Sequence, residues 1–304
     1  MTGSTHPQAG APGPGSGQPE PFGARLRRAM DTRGPLCVGI DPHARLLTDW
    51  GLSDDPGGLE RFALTVVDAL GEHTAVFKPQ SAFFERFGSR GVAVLEKAVA
   101  RAREAGALVL MDAKRGDIGS TMAAYAATYL DPGSPLFSDA LTVSPYLGFE
   151  SLRPALDAAA ASGAGVFVLA LTSNPEGGQV QRATAADGRS VAQVMLDAIA
   201  AENSGVRPLG SVGAVVGATL TEAGADLAVN GPLLAPGVGA QGATPADLPA
   251  LFGAALPNVL PSVSRDVLRH GPDPVALLKS VRAYVDQVRE AVTGTGESSG
   301  ITGG

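Results

Sequence analysis

Leu108-Val-Leu-Met-Asp112-Ala-Lys114-Arg-Gly-Asp117-Ile-Gly-Ser-Thr121 is the stretch on which the fold turns. Its four leading apolar residues have no polar interruption, as expected for a parallel strand buried on both faces. They run directly into Asp112-x-Lys114-x-x-Asp117, and a helical pattern then covers Ser120–Tyr129. A buried strand, a charged loop and a helix in that order make a βα unit. Charge gathered at the C-terminal end of such a strand is where parallel α/β folds place their chemistry. At strand spacing, Asp112 and Lys114 point to one face, about 6–7 Å apart along the strand. Their ordinary role is structural, with Lys114 neutralising Asp112 and Asp117 capping the next helix. Two carboxylates flanking one amine also form an alternating charge array able to do chemistry, and the spacing alone leaves both readings open.

Seven further runs of the same kind flank this one: Leu36–Ile40, Ala75–Lys78, Ala140–Val143, Val166–Leu171, Ala214–Val216, Leu233–Ala235 and Val259–Val263. Between them lie helical patterns at Leu59–Leu70, Gly91–Ala105, Ser151–Ala160, Val191–Glu202, Leu220–Ala225, Pro245–Ala255 and Pro274–Val292. Leu59, Phe62, Ala63, Val66, Val67 and Leu70 form one apolar stripe at helical spacing. Unbroken alternation of strand and helix implies right-handed βαβ units and a parallel sheet. Eight units predict an α/β fold with a single (β/α)8 TIM barrel over residues 22–292. An open doubly wound sheet is the alternative, but no G-x-G-x-x-G follows the first strand, which argues against its dinucleotide-binding form. Residues 1–21 and 293–304, rich in Gly, Pro and Ser, read as disordered tails.

The chain of 304 residues is 44% apolar and 17% charged, enough to bury a large core. A net charge of −7 argues against a general nucleic-acid binder, which needs a basic face. The start carries neither a basic n-region nor an apolar h-region, so no secretory leader is expected. Ala158–Pro175 is uncharged, but its Ala, Gly, Ser and Thr content and its mid-way change of period read as two soluble elements rather than a membrane span. The single cysteine, Cys37, excludes an intrachain disulfide and a Cys-based zinc site, and fits a reduced, cytoplasmic setting. His6, His43, His73 and His270 lack ligand spacing, so no metal site is expected.

In a barrel the site sits where strands end. The polar residues there are Asp41, Lys78, Asp112 with Lys114, Ser144, Thr172 with Ser173 and Asn174, Gln241 and Arg265. Any one of them is accounted for by the rule that strands end in polar residues. Lys78 adds a second cation, giving a Lys–Asp–Lys–Asp array whose members keep each other charged by mutual pairing. The Gly-rich run Pro236–Gly242 offers backbone N–H groups to an anion, and Arg265 after the eighth strand offers a fork matched to phosphate oxygens. Phosphate sites after strands seven and eight recur in barrels.

The run Asp112-Ala-Lys114-Arg-Gly-Asp117-Ile-Gly-Ser-Thr121 resembles the catalytic motif of the orotidine 5′-phosphate decarboxylase family, most closely its longer bacterial subgroup. Gly39-Ile-Asp41-Pro, Phe77-Lys78-Pro-Gln, Val143-Ser-Pro-Tyr-Leu-Gly148, Leu171-Thr-Ser173-Asn-Pro, Pro236-Gly-Val-Gly-Ala-Gln241-Gly and Ser264-Arg265 match in the same order, so the resemblance spans the whole body. It implies a TIM barrel that converts orotidine 5′-phosphate to uridine 5′-phosphate, the last step of de novo pyrimidine synthesis, with no metal or organic cofactor. It further implies that Lys114 protonates C6, that Asp112, Asp117 and Lys78 complete the charged array, and that Asp41 and Lys78 bind ribose hydroxyls. Ser173 would contact the pyrimidine, Gln241 and Arg265 the phosphate. Asp117 and Thr121 would reach a partner's site across a homodimer interface. Arg115 and Gly116 are subgroup features without an implied catalytic role. The rival readings are a Schiff-base aldolase using Lys78 or Lys114, a sugar-phosphate decarboxylase of the same fold, and a catalytically silent nucleotide-phosphate-binding barrel. The first needs a neutral amine in an apolar pocket, which flanking carboxylates oppose. The second typically needs a metal-binding carboxylate set, and silent relatives usually lose one of the four charged positions.

Overall fold

The computed structural model describes residues 19–293. The expected tails lie outside the described residues except for residues 19–21 and Thr293, which closes the last helix. Eight strands follow one another: β1 (Cys37–Ile40), β2 (Val76–Pro79), β3 (Leu108–Arg115), β4 (Ala140–Val143), β5 (Gly165–Leu171), β6 (Val212–Val216), β7 (Leu233–Pro236) and β8 (Val259–Val263). They form a closed barrel in sequence order, every neighbouring pair parallel, and β8 returns to β1 through Cys37↔Ser262 and Val38↔Val263. This is the expected (β/α)8 TIM barrel.

The helices are α1 (Phe22–Arg33), α2 (Ala44–Asp49), α3 (Pro56–Leu70), α4 (Ala82–Glu85), α5 (Gly88–Glu104), α6 (Gly119–Leu130), α7 (Arg153–Ser162), α8 (Gly178–Gln181), α9 (Val191–Glu202), α10 (Leu248–Phe252), α11 (Arg265–Leu268) and α12 (Pro274–Thr293). The stripe on α3 is buried as its spacing requires, and Asp55 caps the helix by accepting from the Gly58 N–H. None of the described helices is long and apolar enough to cross a membrane.

Two expected helices differ. Leu220–Ala225 is not helical: the segment is short, Gly224 adopts φ +61, and the chain runs on irregularly to Asn230. Just beyond the segment, side chains take the backbone donors, Gln193 Oε1 accepting from the Asp226 N–H and Asp226 Oδ1 from the Ala228 N–H. Pro245–Ala255 is helical only at α10, between 3-10 turns at Pro245–Asp247 and Gly253–Asn258. Pro257, in the second turn, has no N–H to continue an α-helix.

Period-2 alternation positions the site. In β2, β3, β4 and β8, the residues Val76, Leu110, Ala140 and Leu260 form an apolar layer inside the barrel. Phe77, Met111, Leu141 and Val259 instead pack in the cluster shared with the outer helices. Two residues past the inner layer, the same alternation delivers Lys78, Asp112, Thr142 and Ser262 to the mouth. Helix α1 adds Phe22, Leu26 and Met30 to the inner cluster, with Phe22 edge-on to Phe167 at 5.9 Å between centroids. Burying each such side chain stabilises the fold by about 1.5–3 kcal/mol. The barrel interior below the mouth is thus apolar, and the polar layer that floors the site lies directly above it.

Candidate active site

A cavity of about 500 Å³ opens at the C-terminal ends of the strands. Asp41, Lys78, Asp112, Lys114, Ser173, Gln241 and Arg265 line it, seven of the nine residues to which the resemblance gives a site role, whereas Ser144 at the end of β4 does not. Asp117 and Thr121 do not: Asp117 is half-buried and Thr121 exposed on α6, outside the chain's own cavity. Asp117 accepts from the Ile118 N–H at 2.8 Å, and α6 has no side-chain cap, so the capping role open to it in the sequence is not taken up.

Asp112 is the centre of the charged floor. Its Oδ2 accepts from Lys78 Nζ at 2.9 Å, and its Oδ1 from Lys114 Nζ at 2.7 Å and from the Thr142 hydroxyl at 2.9 Å. Burial by itself would raise the pKa of the Asp112 carboxyl, but the two ammonium groups outweigh it and hold it well below the usual carboxylate range. Burial would likewise lower the Lys78 pKa, and the charges of Asp112 and Asp41 reverse this, holding it above the ordinary lysine value. Lys78 and Asp112 are therefore a buried ion pair, 5% and 7% exposed, whereas the Lys114 side chain is nearly half exposed and reaches into open cavity.

Lys114 does not reach Asp112 by strand geometry. Its φ is +47, and the β3–β4 register shifts between Met111 and Arg115, so Met111 pairs with Leu141 and Arg115 with Val143. A left-handed non-glycine residue costs of order 1 kcal/mol, and the surrounding contacts must hold it. The Lys114 N–H donates to Thr142 Oγ1 at 3.0 Å, and the Ser144 N–H donates to the Arg115 carbonyl at 2.8 Å. Gly116 passes so close that a Cβ there would lie 2.4 Å from the Ser144 carbonyl oxygen. The Arg115 guanidinium binds Glu85 and the Tyr129 hydroxyl, tying the end of β3 to α4 and α6.

Polar groups become more exposed toward the rim. Among the described residues four buried side-chain polar atoms lack a partner, and two of them, Asp41 Oδ1 and Ser264 Oγ, belong to residues lining this cavity. Such orphans in a native fold call for an explanation. Ser173, Gln241 and Arg265 are exposed on the loops after β5, β7 and β8, and Arg265 forms no ion pair among the described residues. Thr172 and Asn174 also line the cavity: Gln181 Oε1 accepts from the Thr172 N–H, its Nε2 donates to the Thr172 hydroxyl, and that hydroxyl donates to Asn174 Oδ1.

His43, Gln80, Phe83, Thr142, Ser262 and Ser264 line the mouth without having been singled out. His43 packs against Phe83 at 4.2 Å between ring centroids, and burial pushes its pKa below the usual histidine value, with Arg265 acting the same way and Asp41 opposing. Its signal was its place two residues past Asp41 at the end of β1. Thr142 and Ser262 sit inside apolar strand runs and reach the site by alternation, two residues past Ala140 and Leu260 of the inner layer. Among the described residues no group of three or more His, Cys, Asp or Glu is placed to hold a metal ion.

A closed barrel with a buried lysine–aspartate cluster at its mouth and an arginine after its eighth strand is a (β/α)8 protein of the class that assembles its site from strand ends. Comparison with known proteins resolves the family. The model of the orotidine 5′-phosphate decarboxylase / HUMPS family matches residues 34–281, and the chain belongs to that family. It is 70% identical over 275 residues to the orotidine 5′-phosphate decarboxylase of Streptomyces coelicolor, covering 90% of this chain and 99% of that protein. Its identity to the corresponding protein of Salinispora arenicola is 66% over 277 residues, covering 91% and 100%. A solved structure from Streptomyces avermitilis, assigned provisionally to the same enzyme, superposes with a TM-score of 0.89 at 73% identity, covering 90% of this chain and 96% of that one. The Leishmania donovani OMP decarboxylase superposes at 0.68 with 31% identity, covering 88% and 99%.

Proposed function

We propose that this protein decarboxylates orotidine 5′-phosphate to uridine 5′-phosphate, as its curated relatives are named for doing, and closes de novo pyrimidine synthesis. The observation that carries this reading is the Lys78–Asp112–Lys114 cluster, two ammonium groups on one buried carboxylate, with Lys114 alone extended into open cavity. The substrate phosphate sits at the rim against Gln241 and Arg265, the pyrimidine edge against Ser173, and the ribose hydroxyls against Asp41, whose orphaned Oδ1 is an acceptor waiting for one. The C6 carboxylate then lies over the charged floor.

Breaking the C6–carboxylate bond releases CO2 and leaves an electron pair on C6 that the ring delocalises poorly. A fixed ammonium beside C6 stabilises that charge as it develops, and each 1.4 kcal/mol gained is about tenfold in rate. Lys114 then gives a proton to C6, becomes a neutral amine and is reprotonated from water. Asp112 and Lys78 hold that ammonium in place, so no reorganisation accompanies the step. Phosphate contacts at the rim supply binding energy remote from the reacting bond. No metal or organic cofactor enters these steps.

Asp117 and Thr121 serve a second protomer in this reading. Ile118, next to Asp117, and Tyr146 and Leu147 on the loop after β4 are large and more than half exposed, which a homodimer would cover. Mixing Lys114→Ala with Asp117→Asn protein should restore about a quarter of wild-type sites, since each mixed dimer keeps one complete site. No restoration after subunit exchange would place Asp117 outside the shared site.

The absorbance of the orotate ring gives the direct test. Mixing the protein with orotidine 5′-phosphate should abolish it, with or without a chelator, and yield uridine 5′-phosphate. Stable absorbance together with tight product binding would favour a silent binder. Chelator-sensitive turnover of a sugar phosphate would favour the other decarboxylase.

A further inference from the structure

We infer that Thr142 is a positioning residue for this reaction, setting where the Lys114 ammonium stands. The inference rests on the proposed decarboxylation and on one closed ring of contacts. Thr142 lies in β4 between Leu141 and Val143, which are fully buried, and it is itself 1% exposed. Its Oγ1 accepts from the Lys114 backbone N–H at 3.0 Å and donates to Asp112 Oδ1 at 2.9 Å. That same Oδ1 accepts from Lys114 Nζ at 2.7 Å. Backbone and side chain of Lys114 are thus tied to one carboxylate oxygen, one through the threonine hydroxyl and one directly. A hydroxyl has a single proton to give, and Asp112 takes it, so the direction of both bonds is fixed.

The ring explains how a residue beyond a register shift acquires a defined side-chain direction. Lys114 has φ +47, and the three residues of β3 between Met111 and Arg115 stand against the single residue between Leu141 and Val143 in β4. Thr142 is the β4 residue facing that excess. Its N–H···O contact holds the left-handed backbone at the point from which the side chain turns back toward Asp112. Valine has the same shape and fills the same space but can neither accept from Lys114 nor donate to Asp112. Its methyl would leave a buried N–H opposite carbon and remove one of the three donors on the carboxylate.

The test compares wild type, Thr142→Val, Thr142→Ser and Lys114→Ala for turnover of orotidine 5′-phosphate, affinity for uridine 5′-phosphate and thermal unfolding. Thr142→Val should lower kcat roughly 10- to 100-fold, the scale of a small misplacement of a reacting group. KM and product affinity should stay within about threefold, because no ligand-binding contact is removed. Thr142→Ser, which keeps the hydroxyl, should recover most of kcat. Should the valine variant not fold, Thr142→Ala carries the same expectation. A valine variant with kcat near wild type, or a loss that serine does not rescue, overturns the role of Thr142 alone. So does a parallel loss of product affinity. Absence of turnover in the wild type itself overturns the decarboxylase reading on which the role depends.

Discussion

Replacing Asp112 with asparagine tests whether the floor of the site is a coupled charge cluster. The carboxylate accepts three hydrogen bonds, two of them from ammonium groups, and is 7% exposed. Asparagine keeps the shape but brings an NH2 where acceptors are needed, and it leaves the Lys78 ammonium, 5% exposed, facing only the Asp41 charge. Removing one partner of a buried ion pair costs about 3–5 kcal/mol. At about 2–4 °C per kcal/mol for a chain of this size, Tm should fall by roughly 6–20 °C. The pH dependence follows from the direction of the shift. The folded Asp112 pKa lies below its unfolded value near 3.8, so its stabilisation is complete above that value and is lost as pH falls toward the folded one. The gap between wild type and variant should be constant from about pH 5 to 8 and narrow below about pH 4. Urea unfolding and thermal scans at several pH values measure it. A Tm shift under about 2 °C at pH 7, or a gap that widens on acidification, would refute a charge-coupled floor.

Three further outcomes follow from neighbouring contacts. Arg265→Ala should weaken uridine 5′-phosphate binding by about 10- to 100-fold, the worth of a charged hydrogen bond to phosphate, and leave uridine binding unchanged; calorimetry with the two ligands separates phosphate recognition from a general effect. Gly116→Ala should destabilise the fold by about 1–3 kcal/mol in urea unfolding, because its Cβ would stand 2.4 Å from the Ser144 carbonyl oxygen across a hydrogen-bonded seam; an unchanged midpoint would mean that the seam yields freely. Because burial lowers the His43 pKa below its ordinary 6.5, the unfolded chain binds its proton first, so stability contributed by His43 is steady above about pH 6.5 and falls on acidification. His43→Gln should flatten that part of the profile, and identical slopes in both proteins would contradict it.

The strands were legible because parallel strands covered on both faces leave continuous apolar runs, so all eight could be placed from the sequence. Lys78, Asp112 and Lys114 stood out less by themselves, since strands commonly end in polar residues; the match of Asp112, Lys114 and Asp117 to a family motif separated them from that background. The path by which Lys114 reaches Asp112 was not legible. A register shift and a left-handed lysine are tertiary outcomes of β3 meeting β4, and uniform strand spacing gives the right neighbours for the wrong reason. Thr142 was hidden because one threonine in Ala-Leu-Thr-Val is compatible with any buried strand. Helix α1 was missed because its apolar residues precede the first strand and look like the edge of a tail until they are seen beneath the barrel. Leu220–Ala225 was over-read: six residues with a helix-compatible pattern are too few to sustain a helix against a glycine at positive φ.

The most direct measurement of the central claim is turnover of orotidine 5′-phosphate by Lys114→Ala alongside its affinity for uridine 5′-phosphate. If the Lys114 ammonium stabilises and protonates C6, turnover should fall by roughly a thousandfold or more while product affinity stays within a few-fold of wild type. A variant that binds the product and still turns over near the wild-type rate would contradict the account.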